Sequence, residues 1–124
     1  MEKQLKRFIK SPIVRGLFWF GVVAVSVTSL LPHTALPSVG VWDKAQHFIA
    51  YAGLGGLGWL GYPDRRHVVM LLVGLIALGA GLEVGQSFVP GRAMSMGDVM
   101  ANTLGVLGGL IVGRLIWLPP RDVN

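Results

Sequence analysis

All seven prolines, Pro12, Pro32, Pro37, Pro63, Pro90, Pro119 and Pro120, fall between long apolar runs, and none falls inside one. A proline inside a helix removes a backbone donor and crowds the preceding turn, so this punctuation marks out four uninterrupted segments. They predict helices over roughly 14 to 31, 43 to 61, 68 to 88 and 96 to 117. Each is near the ~20 residues that a helix rising ~1.5 Å per residue needs to cross hydrocarbon. In lipid every backbone group must be paired internally, which leaves helices or closed barrels, and the runs are too long and too evenly apolar for barrel strands. The second segment is the least apolar. Its uninterrupted part, Phe48 to Gly61, is 14 residues, so it spans only if Asp43, Lys44, Gln46 and His47 occupy its first turns.

Composition settles the class. Of 124 residues, 52% are hydrophobic and 14% charged, against about a quarter charged in soluble domains. This excludes an ordinary water-soluble domain and leaves no room for a second one. The expected fold is an all-α membrane protein with a basic N-terminal stretch over 1–13, a four-helix domain over 14–118 and a tail over 119–124. The absence of cysteine excludes a disulfide scaffold, a thiolate nucleophile and a sulfur-ligated metal.

The net charge of +5 follows from topology. Lys3, Lys6, Arg7, Lys10, Arg15, Arg65, Arg66, Arg114 and Arg121 fall on one side of the four segments, and only Lys44 and Arg92 on the other. The positive-inside rule then predicts that both termini are cytoplasmic. Trp19, Trp59, Tyr62 and Trp117 would lie toward the inner interface, Trp42 and Phe88 toward the outer one. Because topology accounts for the basic residues, nucleic acid is excluded as a partner. The basic N-terminus with Gly16 to Val25 resembles a secretory signal, but the apolar run continues to Leu31 with no clean small-x-small site, so a signal anchor is expected.

Polar residues inside spans are costly, and here they are grouped. Asp43, His47 and Tyr51 recur every four residues, Glu83 lies one turn from Gln86 and Ser87, and Asp98 and Asn102 are four apart. With ~1.5 Å of rise per residue, His47 lies ~6 Å below Asp43, Glu83 ~8 Å below Phe88 and Asn102 ~10 Å below Ser95. These depths predict one outward-opening polar layer, with Arg92 at its rim. Gly81-x-x-x-Gly85 and Gly105-x-x-x-Gly109-x-x-x-Gly113 are expected to provide grooves for close helix packing beneath it.

The pattern Asp43-Lys44-x-x-His47-Phe48-x-x-Tyr51, followed by Glu83-x-x-Gln86-x-Phe88-x-Pro90-Gly91-Arg92-x-x-Ser95-x-x-Asp98-x-x-x-Asn102-Thr103-x-Gly105, resembles the VanZ-like family. The resemblance covers about residues 42 to 113. It implies a small multi-pass bacterial membrane protein with four helices, and the family's namesake is associated with low-level resistance to the lipoglycopeptide teicoplanin.

The candidate ligand-binding set is Asp43, His47, Tyr51, Glu83, Gln86, Arg92, Ser95, Asp98 and Asn102. Glu83 leads it, since an intramembrane carboxylate must be neutral, paired or solvated, and Arg92 and His47 are its expected partners. Arg92 can grip a phosphate or carboxylate with its planar fork, or pin its own loop. Ser95-x-x-Asp98 is also spaced as a capping box. Asp43 and Lys44, being adjacent, point apart, which leaves Lys44 to face headgroups. Without a second histidine on a facing helix, no metal is expected, nor any other cofactor.

Three functions are open at this point. The first is binding or shielding an amphiphilic anionic ligand: a membrane lipid, a lipid-linked envelope precursor or a lipoglycopeptide. The second is a membrane-embedded hydrolase or transferase with His47, Glu83 and Asp98 as catalytic candidates, although no nucleophile has an evident activating partner. The third is a small scaffold that uses its glycine faces for a homo-oligomer or a membrane partner. A channel is disfavoured because the polar residues continue no path inward.

Overall fold

A computed structural model describes residues 1–4, 11–32 and 43–117. The expectations resting on Lys6, Arg7, Lys10, Trp42 and Arg121 lie outside the described residues. Four long helices make up the fold: α1 (Pro12–Ser29), α2 (Asp43–Gly61), α3 (Arg65–Gln86) and α4 (Met96–Ile116).

The ends of the helices have local causes. Pro12 opens α1 at its first position, where no N–H is needed, and Ser11 caps it by accepting from Val14 N at 3.3 Å. Asp64 caps α3 through His67 N at 3.0 Å. That cap starts α3 three residues before the apolar run expected from 68 and puts His67 in its first turn. Ser95 caps α4. At the end of α3 the chain tightens: Ser87 N donates to Val84 O and Phe88 N to Gly85 O, so the helix stops at Gln86 instead of 88. Then Val89, Pro90, Gly91 and Arg92 form a tight turn closed by Arg92 N on Val89 O at 3.1 Å. Gly91 has φ +79°, the value a type II turn with proline at its second position requires and that a side chain opposes.

Three helices, α1, α3 and α4, are long and apolar enough to cross a membrane. The fourth, α2, carries Asp43, Lys44, Gln46 and His47 in its first turns, and it solves that problem by packing. Its interface with α4 is the largest between any two helices. A Cβ on Gly105 would lie 2.5 Å from Phe48 O, one on Gly55 2.6 Å from Val106 O, and one on Gly109 would fall inside the Ala52 carbonyl. The α2 and α4 backbones therefore touch along a seam that only glycine allows, as expected where lipid supplies no hydrophobic drive between helices. Gly81 has nothing within 4 Å, and Gly85 meets only Leu30. The same spacing on α3 thus makes no such seam.

Phe18, Tyr51, Leu54, Trp59, Leu75, Val106 and Leu110 form the core around the seam. Most other large apolar side chains face outward, including Phe20 and Val23 on α1, Val69 and Val73 on α3, and Ile111 and Leu115 on α4. An apolar groove of about 480 Å³ lies between α1 and α3, lined by Phe18, Val22, Leu71 and Leu75 among others.

Candidate functional site

The start of α2, the end of α3 and the start of α4 share one end of the bundle. There Lys44 Nζ donates to Asp98 Oδ1 at 3.2 Å, and His47 Nε2 lies 3.8 Å from Asp98 Oδ2. His47 Nδ1 is 3.0 Å from Asn102 Oδ1. An amide oxygen only accepts, so this contact puts a ring proton on Nδ1 and leaves Nε2 turned toward Asp98. Gly79, one turn from Glu83 on α3, makes the approach of α4 possible: a Cβ there would meet Asn102 Nδ2 at 3.2 Å and Tyr51 Cε1 at 3.3 Å.

Glu83 joins the cluster through the α4 cap. Ser95 Oγ accepts from Asp98 N at 3.3 Å, which is one half of a capping box. In the usual box the third residue's carboxylate would return to the cap's N–H. Here Glu83 Oε2 from α3 accepts from Ser95 N at 2.9 Å instead, and Asp98 is released to meet Lys44 and His47. The positive end of α4 favours both carboxylates. Glu83 is 1% exposed, and its second oxygen, Oε1, has no hydrogen-bond partner. We expect Ser95→Ala to cost about 1 kcal/mol, the usual value of such a cap. Thermal unfolding in detergent measures it, and an unchanged midpoint would show that Glu83 alone sustains the start of α4.

Of the nine residues predicted from sequence, the structure brings His47, Glu83, Ser95, Asp98 and Asn102 into one hydrogen-bonded and ionic group. Tyr51 and Gln86 are buried beside it, at 2% and 3% exposure. Asp43 is exposed in the first turn of α2. Arg92 donates Nη1 to Leu31 O at 3.0 Å, a carbonyl left over at the end of α1. That bond ties the α3–α4 loop to α1, and no ion pair joins Arg92 to Glu83 among the described residues. Lys44 takes a place in the group that spacing had assigned to Asp43. A helix turns 100° per residue, so the two steps of four from Asp43 to Tyr51 drift by about 80°, whereas Lys44, Tyr51 and Gly58, seven apart, stay within about 20° per step. The seven-residue interval was the signal for Lys44, and Gly79 was legible as the small residue one turn below Glu83.

A helical chain that turns most of its large apolar side chains outward and holds Glu83 and Asp98 between its helices is a membrane protein. It belongs to the VanZ/LLP1 family, whose profile matches residues 4–117. Comparison with curated proteins and with solved structures gives no match.

Proposed function

We propose that this VanZ-type protein crosses the bacterial cytoplasmic membrane four times, with both termini inside, and holds the head of an amphiphilic anionic ligand in the cluster at the outer ends of α2, α3 and α4. The distribution of cations supports the orientation. Arg15, which donates to Gly61 O and stacks over Tyr62, belongs with Arg65, Arg66 and Arg114 to the end of the bundle away from the cluster.

One observation carries the binding reading. Three helices deliver Lys44, His47, Glu83, Asp98 and Asn102 to one place that is sealed below by Tyr51 and the glycine seam, while the Lys44 side chain stays 37% exposed at its rim. An ammonium at the rim of a polar cluster between lipid-facing helices suits a phosphate or carboxylate head with its tail in the bilayer. Arg92, with four of its five N–H donors beyond the bond to Leu31, stands in the neighbouring loop. Phospholipids, lipid-linked wall precursors and lipoglycopeptides share this chemistry, and holding or shielding one of them would lower the access of teicoplanin-type antibiotics to the envelope.

The enzymatic reading has the His47–Asp98 pair in its favour but lacks a nucleophile. Ser95 Oγ is spent on the α4 cap, and Ser87 Oγ donates to Val84 O at 2.6 Å. Binding is therefore the reading adopted. Mass spectrometry of gently purified protein should find an anionic lipid, and Lys44→Ala and Glu83→Gln should each lower its occupancy to roughly a tenth, the effect of ~1.4 kcal/mol. A wild-type protein without bound lipid, or equal occupancy in all three, refutes it.

A further inference from the structure

The geometry points to a divalent cation site formed by His47, Glu83 and Asp98, selective for a transition-metal ion of the Zn²⁺ or Mn²⁺ type. It deepens the headgroup-binding reading, because it places the positive charge that would meet an anionic head within the cluster as well as at its rim.

One ligand-competent atom from each of the three side chains lies within 4.8 Å of the other two. A metal bound to nitrogen and oxygen at ~2.0–2.2 Å in tetrahedral geometry holds its donors about 3.3–3.6 Å apart, so the three side chains would draw together by about an ångström around the ion. Proximity of acidic groups alone would be weak evidence, and two independent features strengthen it. The first is Glu83 Oε1: a carboxylate oxygen in a side chain 1% exposed, with no hydrogen-bond partner among the described residues, is left desolvated and unpaired until something occupies that position. The second is the His47 ring. Its Nδ1–H is held by Asn102 Oδ1 at 3.0 Å, and a metal-bound histidine almost always has its other nitrogen fixed in this way by an acceptor.

Charge points in the same direction. Glu83 and Asp98 carry two negative charges when ionised, and Lys44 on Asp98 Oδ1 offsets one. The uncompensated charge is costly at membrane depth, and a dication reverses its sign. Asp98 Oδ1 is taken by Lys44, while Oδ2, on the side of His47 Nε2, is the oxygen left for a metal. One imidazole with two carboxylates suits Zn²⁺ or Mn²⁺ better than Mg²⁺ or Ca²⁺, which prefer oxygen alone. Three protein ligands leave a coordination position open for an exogenous donor, as in zinc sites that bind water or substrate.

The test is Zn²⁺ and Mn²⁺ titration of the full-length, delipidated protein in detergent, followed calorimetrically. The His67→Ala background is used so that the exposed His67–Asp64 pair cannot bind the added ion. One ion per chain should bind saturably, and His47→Gln and Asp98→Asn should weaken the affinity at least tenfold, the lower end of what perturbing a metal's ligand shell costs. Both positions are partly exposed, at 19% and 15%, so the test does not depend on a core substitution. Absence of saturable binding, or equal affinity in the three proteins, overturns the site. Neither result bears on the lipid measurement: lipid retained by a protein that takes up no metal would leave headgroup binding standing without the cation.

Discussion

Gly109→Ala is expected to destabilise the protein by about 3 kcal/mol or more, at the upper end of overpacking effects, and to lower the unfolding midpoint in detergent by about 10 °C or more. The added methyl has nowhere to go. Its position coincides with the Ala52 carbonyl, which is backbone and cannot rotate aside, and a Cβ on Gly105 would likewise meet the Phe48 carbonyl oxygen at 2.5 Å. Relief would require α2 and α4 to separate along the largest interface in the molecule. Gly81→Ala is the matched control, since nothing lies within 4 Å of its Cβ position and alanine is the better helix former by about 1 kcal/mol. It should be neutral or stabilising. If the two variants unfold at the same temperature, the seam does not hold the bundle.

The second large effect is expected at Glu83. Glu83→Ala deletes a buried side chain and leaves the Ser95 N–H without its acceptor, which together should cost about 2–4 kcal/mol. Glu83→Gln keeps an oxygen that can accept from Ser95 N, and should cost about 1 kcal/mol. Amide hydrogen exchange separates this local effect from a general loosening: protection at Ser95 should fall in the alanine variant and persist in the glutamine one. Equal protection in both would show that the carboxylate is not what orders the start of α4.

Much of the site was legible because each helix carries its own part of it at helical spacing. His47, Glu83, Asp98 and Asn102 could be assigned to one depth by counting residues from the loops, and Ser95-x-x-Asp98 announced the cap. What spacing could not show was which partner each group takes across helices. The Glu83 bond to Ser95 N links two elements with no shared period, so the sequence pointed to Arg92 as Glu83's partner, whereas Arg92 reaches the end of α1. Asp43 and Lys44 illustrate the limit of counting by fours on a helix of 3.6 residues per turn. The two glycine repeats show the same limit in packing. Their spacing is alike, but only the one on α4 meets a facing backbone.

The seam also imposes an order on how the protein is made. The helix least able to rest alone in lipid, α2, packs Gly55 and Gly56 against α4, and the contact between Lys44 and Asp98 closes over 54 positions of chain. During synthesis α2 leaves the ribosome before its main partner exists, so its polar first turns must wait at an interface, or be sheltered by other proteins, until the last helix arrives. The polar cluster and the glycine seam are therefore completed in a single event, and a chain stopped before Asn102 would have neither.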